Sequence, residues 1–77
     1  MDLKELENKL KLNPQISSNS YSLSGGLPNE SLCINYNGKQ WEVYYSEWGN
    51  KSNMNIFNIE NEACKYFYNY LLKMLGR

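Results

Sequence analysis

The sequence predicts an α+β domain: a three- to four-stranded antiparallel sheet flanked by an N-terminal and a C-terminal helix, both packed on one face. Three observations lead to this prediction. An apolar stripe with helical spacing opens the chain, apolar–polar alternation follows in the middle, and a broad helical apolar face closes it. With 77 residues, the chain is long enough for one small domain, residues 1–77, and too short for two.

Residues 2–12 are predicted to form the first helix. Its apolar stripe consists of Leu3, Leu6 and Leu10. Asp2 is a suitable N-cap because its carboxylate can accept hydrogen bonds from free N–H groups in the first turn. Asn13-Pro14 then ends the helix, since proline cannot continue the helical hydrogen bonding.

Short strands are predicted in the middle of the chain, where apolar and polar residues alternate. They are expected at residues 21–24, 31–36, 39–46 and 54–59. Asn37-Gly38 is a strong signal for a two-residue hairpin turn, because both residues tolerate positive φ. In the strand that follows, Trp41, Val43 and Tyr45 alternate with polar neighbours. This pattern predicts one packed and one solvated face. The mostly polar residues 47–53 are predicted to form a turn.

Residues 60–75 are predicted to form the second helix. Asn58 is a suitable N-cap, and Glu60 and Glu62 are favourable near the positive end of the helix dipole. The apolar face consists of Ala63, Phe67, Tyr70, Leu71 and Met74, with Cys64 and Leu75 at its edges. A face of this width predicts that the helix packs broadly against the core.

The charge balance argues against direct nucleic-acid binding. Eight Lys and Arg residues balance eight Asp and Glu residues, and Arg77 is the only arginine. A nucleic-acid-binding domain normally carries a basic excess that neutralises phosphates. No apolar run reaches the length of a membrane span, and the charged start of the chain does not resemble a signal peptide. We therefore expect a soluble, cytoplasmic protein with no membrane partner.

The residue types present do not favour catalysis. There is no histidine, which removes the commonest general base and the commonest metal ligand. Cys33 and Cys64 are far apart in the chain and match no metal-ligand spacing, so we expect two small buried residues rather than a disulfide. Glu42 and Glu47 fall on opposite faces of their strand. We therefore expect no catalytic residue, no cofactor and no metal site.

A protein partner is the better expectation for the exposed aromatic residues. Glu42 and Tyr44 are predicted to project from the solvated face of the sheet, beside Cys33. Trp48 stands in the polar turn, where it could either cover a sheet edge or serve as an exposed anchor next to Glu47. Tyr and Trp are enriched at the centres of protein interfaces.

The stretches "YSLSGGLPNESLCINYNGKQWEVYYSEWGNK" and "FNIENEACKYFYNYLL" resemble small bacterial immunity proteins of polymorphic or contact-dependent toxin systems. The resemblance covers most of the chain after residue 20. The matching positions are Gly25, Gly26, Trp41, Val43, Tyr44, Tyr45, Glu47, Gly49, Glu62 and Ala63. The family pattern has arginine where this chain has Trp48. If immunity proteins vary where they contact their toxins, the resemblance implies a partner contact at this position.

The resemblance implies a protein that performs no catalysis and binds one cognate toxin domain, commonly a nuclease, at its active site or an exosite. Acidic side chains would then face a basic cleft on the toxin. The expected partner-binding residues are Glu30, Glu42, Tyr44, Glu47 and Trp48, on a monomer or weak homodimer. Two alternatives remain open: a small adaptor of phage or bacterial origin that binds nucleic acid, and one that homodimerises through its open sheet face.

Overall fold

The α+β prediction is confirmed by the computed structural model, which describes residues 1–76. In chain order the helices and strands are α1 (Leu3–Leu12), β1 (Tyr21–Ser22), β2 (Ser31–Tyr36), β3 (Trp41–Glu47), β4 (Asn50–Phe57) and α2 (Glu60–Gly76), with a 3₁₀ turn at Ser18–Ser20. The sheet has the order β1-β2-β3-β4. The pairs β2–β3 and β3–β4 are antiparallel, whereas the two-residue β1 runs parallel to β2. The sheet is therefore mixed and mostly antiparallel.

Helix α1 begins and ends where the sequence predicts. The Asp2 carboxylate accepts a hydrogen bond from the Glu5 N–H at 2.8 Å, and Asn13 forms the C-cap. Leu6 and Leu10 are fully buried and join the main core. The Leu3 N–H donates to the Glu60 carboxylate at 2.8 Å, which fastens the start of α1 to the start of α2.

Helix α2 covers the same face of the sheet but buries a narrower stripe than the sequence predicts. Its fully buried residues are Ala63, Cys64, Phe67 and Leu71. Met74 and Leu75 are exposed, because the end of the helix extends beyond the sheet residues that form the core. Asn58 is not the N-cap: its side-chain oxygen accepts a hydrogen bond from Gln40 at 2.9 Å and so joins the start of α2 to the β2–β3 loop.

The β2–β3 hairpin is longer than the predicted two-residue turn. Tyr36 pairs with Trp41, which leaves the four residues 37–40 in the loop. The Asn37 side-chain oxygen accepts hydrogen bonds from the N–H groups of Lys39 and Gln40, both at 2.9 Å. These bonds stabilise the wider loop. Since the pairing differs from the prediction by two residues, the assignment of side chains to faces is unchanged.

The β3–β4 connection is a tight hairpin and not the polar turn predicted at residues 47–53. Strand β3 continues to Glu47, β4 begins at Asn50, and only Trp48-Gly49 lies between them. Further along the hairpin, Val43 pairs with Asn55 and Tyr45 pairs with Ser52. Two residues of β4, 53 and 54, therefore lie opposite a single residue of β3, Tyr44. This bulge shifts the strand phase, which explains why the alternation in β4 is hard to recognise.

The sequence predicts that the second face of the sheet is solvated, but in the structure this face is covered. Residues 23–30, here called the cover segment, connect β1 to β2. Leu23 packs against the core on the helix side, and the segment then contacts the second face at Gly25 and Gly26. The Tyr44 hydroxyl donates to the Gly26 carbonyl at 2.7 Å, and Tyr44 is 1% exposed. Cys33 and Ser46 on the same face are also fully buried. Alternation shows only which residues share a face, so it could not reveal a later covering by a loop.

Gly25 is where the cover segment comes closest to the sheet. Its φ is +75°, and a Cβ added there would lie 2.8 Å from the Asn35 side-chain oxygen. Gly26 has a similar φ of +85°, yet the nearest atom to its added Cβ, on Pro28, is 3.9 Å away. The two glycines therefore share the same conformational requirement, but only Gly25 is also required by close contact.

We expect Gly25→Ala to destabilise the protein more than Gly26→Ala. Both variants place a methyl group on a left-handed backbone, while only the first also forces it against Asn35. The difference in the free energy of unfolding, measured by urea denaturation, should be about 1–3 kcal/mol, as for other overpacked sites. Equal losses in the two variants would show that the cover segment does not press on the sheet at Gly25.

Candidate protein-binding surface

The structure brings together three of the five residues predicted to bind a partner. Ser31 pairs with Ser46; Glu30 comes just before the start of β2, and Glu47 is the last residue of β3. Both carboxylates act on the Tyr45 phenol, so they lie at the same end of the sheet. Trp48 follows directly in the hairpin turn. These three residues are here called the Trp48 end.

The other two predicted residues lie elsewhere. Glu42 pairs with Asn35 and Ile56 nearer the opposite end of the sheet. Its carboxylate accepts a hydrogen bond from the Asn37 amide at 3.0 Å, so it supports the β2–β3 loop. Tyr44 is beneath the cover segment, and the prediction that it projects into solvent is wrong. Burial, followed by the neighbouring Cys33, raises the pKa of Tyr44 to about 12, so its hydroxyl stays a donor at neutral pH.

The Trp48 side chain is exposed and does not cover the sheet edge. The residue is 73% exposed, the largest exposed fraction among the aromatic residues of the described chain. Its φ is +54° and that of Gly49 is +78°, so both central residues of the hairpin turn are left-handed, as in a type I′ turn. Asn, Asp and Gly favour this conformation, whereas a bulky residue costs about 1–2 kcal/mol. Trp48 therefore adds strain to the turn and contributes little packing in return.

Two side-chain amides fix the backbone of the turn. The Trp48 N–H donates to the Asn29 side-chain oxygen at 3.2 Å, which ties the turn to the cover segment. The Asn50 amide donates to the Trp48 carbonyl at 3.4 Å. No local pattern in the sequence predicts this role of Asn29, because its partner lies 19 residues away in the chain.

The Trp48 end is locally acidic although the whole chain is neutral. Glu30 and Glu47 are exposed, and within residues 1–76 neither forms a salt bridge. Burial is the largest cause that raises the pKa of the Tyr45 phenol, and the negative charges of Glu30 and Glu47 raise this pKa further. The nearby cation Lys51 has its ammonium 4.7 Å from the centre of the Tyr44 ring. The surface around the indole thus favours positive charge on a partner.

The two cysteines are free, and both are fully buried, as the sequence predicts. Burial raises the pKa of both thiols, to about 11 for Cys64. Because the thiolate is the reactive form, these side chains are poor nucleophiles at neutral pH. Within the described part of the chain, no three His, Cys, Asp or Glu side chains come together as a metal-binding group.

Comparisons with known proteins returned no match to a protein-family model, a curated protein or a solved structure. Of the helices within residues 1–76, none has the length and apolarity needed to cross a bilayer.

We expect Trp48→Asn to stabilise the isolated protein. Asparagine tolerates the left-handed conformation, and little packing is lost because the indole is exposed. The free energy of unfolding should rise by about 0.5–1 kcal/mol in urea denaturation. Trp41→Asn is the matched control and should destabilise the protein, since Trp41 packs against the core and its ring lies tilted against that of Tyr36, with 5.0 Å between ring centres. A destabilised Trp48→Asn would show that the indole supports the fold.

Proposed function

We propose that this protein performs no catalysis and acts by binding a protein partner, one to one, through the Trp48 end. The observation that carries the proposal is the exposed indole on a strained turn. Strain at an exposed position is costly to the fold, and such strain is concentrated at functional sites. A tryptophan held in a fixed position is also the side chain most often found at the centre of a protein interface.

The size of the indole is sufficient for it to be the main anchor. Burying a tryptophan removes about 150–250 Å² from water, which corresponds to about 4–6 kcal/mol of hydrophobic free energy at the usual ~25 cal/mol per Å². Because Asn29 and Asn50 hold the turn, little further ordering is needed on binding. Prior ordering lowers the entropy cost of association.

The charges beside the indole define the kind of partner. Glu30 and Glu47 would be satisfied by Lys or Arg side chains around an apolar socket, and such charge complementarity speeds association. The partner that best fits both this surface and the resemblance is a bacterial toxin domain, with the protein acting as its cytoplasmic immunity protein. A nuclease toxin has the required basic surface, since its own substrate is anionic.

The alternative of nucleic-acid binding loses its main support. It depended on Tyr44 standing in an open sheet face, where an aromatic side chain could stack on bases. The cover segment occupies that face, and the Tyr44 hydroxyl is bonded to Gly26. The acidic Trp48 end would repel phosphates.

Co-expression with the toxin domain encoded next to its gene tests the proposal. We expect the wild-type protein to restore growth of cells that express the toxin, and to form a one-to-one complex in gel filtration. Trp48→Ala should weaken the complex by at least about 2 kcal/mol, as expected for an interface anchor. Glu47→Lys should slow association more than it speeds dissociation.

The control for this experiment is Leu12→Ala, which removes another highly exposed apolar side chain at the end of α1. It should leave growth rescue and binding unchanged. Absence of both rescue and complex with the wild-type protein would refute the immunity function. Rescue that is unaffected by Trp48→Ala and Glu47→Lys would instead refute the assignment of the surface.

A further inference from the structure

The cover segment is held against the second face of the sheet by few contacts. Only Gly25 of this segment is buried, and most of its other residues are exposed. Two hydrogen bonds join it to β3 and to the turn that follows. The Tyr44 hydroxyl donates to the Gly26 carbonyl at 2.7 Å, and the Trp48 N–H donates to the Asn29 side chain at 3.2 Å. A segment with so little buried apolar surface opens more easily than the domain unfolds.

The covered face contains a buried hydroxyl whose hydrogen bonding is incomplete. Ser46 is fully buried, and within residues 1–76 its Oγ has no hydrogen-bond partner. A buried hydroxyl without a partner destabilises the state that buries it. When the cover segment leaves this face, water can reach the Ser46 hydroxyl and satisfy it. Ser46 therefore favours an open form of the protein.

The two ends of the cover segment are suited to hold it while it opens. At one end, Leu23 packs against the core. At the other end, Glu30 has a left-handed φ of +53°, which is unfavourable for a residue with a side chain and is relieved by movement. The next hydroxyl, on Ser31, donates to the Asn19 carbonyl at 2.8 Å and to the Asn29 carbonyl at 3.3 Å. Because it has one proton, it keeps its partner Asn19 when Asn29 moves away.

We propose that the cover segment opens as a unit between Leu23 and Glu30, while both helices and the sheet stay folded. Opening breaks the bond from the Trp48 N–H to Asn29, so it frees the β3–β4 turn as it uncovers the second face. Only the closed form presents the indole on a fixed turn. The opening itself does not depend on the proposed function, whereas its role as a switch that turns off partner binding rests on it.

The two cysteines report on this opening from opposite sides of the sheet. Cys33 lies on the covered face, and Cys64 lies on the inner side of α2 in the main core. Both thiols are free and fully buried, so each reacts with a thiol reagent only after its cover has moved. If the cover segment opens alone, Cys33 becomes accessible while Cys64 stays protected.

Alkylation of the free wild-type protein by iodoacetamide without denaturant tests the proposal, with each cysteine followed by peptide mass spectrometry. Rates are divided by those of the same cysteines in the urea-unfolded protein. We expect Cys33 to react at least about tenfold faster than Cys64, since partial opening requires less free energy than unfolding.

Variants of the cover segment's contacts test what holds it closed. Tyr44→Phe should speed the alkylation of Cys33 about fivefold, and Asn29→Ala at least about twofold, because each removes one hydrogen bond of the closed form. Ser46→Ala should slow this reaction at least about fivefold, because it removes the unsatisfied hydroxyl.

Ile34→Val is the matched control, because it removes a methyl group from the main core and leaves the cover segment intact. It should speed the alkylation of Cys64 about fivefold and leave that of Cys33 unchanged. Leu27→Ala, at a half-exposed position of the cover segment itself, should leave both rates unchanged.

The proposal is overturned if Cys33 and Cys64 react at the same rate, or if Ile34→Val speeds both reactions equally. It is also overturned if Asn29→Ala leaves the alkylation of Cys33 unchanged or Ser46→Ala does not slow it. The free protein is sufficient for every one of these measurements. Failure of the opening is therefore distinguishable from failure of the proposed toxin binding.

Discussion

The hydrogen bond from the Tyr44 hydroxyl to the Gly26 carbonyl holds the cover segment against the sheet. Both helices pack on the other face, yet Cys33, Tyr44 and Ser46 beneath the cover segment are also buried. The bond from Tyr44 to Gly26 also places Asn29, three residues after Gly26, where its side chain reaches the Trp48 N–H. The position of the exposed indole therefore depends on an interaction in the interior. Without the cover segment, the β3–β4 turn would lose its tie to the rest of the domain.

The buried residues of the interior stabilise the fold, whereas the proposed recognition depends on the exposed residues of the Trp48 end. The interior residues, from Tyr44 to Leu6 and Leu10 of α1, are almost completely buried. The Trp48 end combines a left-handed tryptophan with two carboxylates that form no salt bridge within residues 1–76, and none of these features favours folding. Proteins accept such local costs where a surface has another role.

The sequence was sufficient to predict the elements whose signals are local. Leucine spacing and the Asp2 cap located α1, and the alternation around Val43 assigned the faces of β3 correctly. The cover segment could not be predicted, because the contact of Gly25 with Asn35 joins residues with no shared pattern. For the same reason the sequence alone predicts a solvent-exposed Tyr44. A tryptophan within a polar turn is visible in the sequence, but the exposure of Trp48 depends on the two-residue hairpin. The polar residues that follow Trp48 conceal the start of β4.

The central claim is that Trp48 is free in the isolated protein and buried by a partner. A Trp41→Phe variant leaves Trp48 as the only tryptophan, so its fluorescence reports on this residue alone. We expect emission typical of a water-exposed indole and strong quenching by acrylamide in the free protein. On addition of the toxin domain, the emission should shift to the blue and the quenching should fall. An indole already shielded in the free protein, or equally accessible in the complex, would contradict the account.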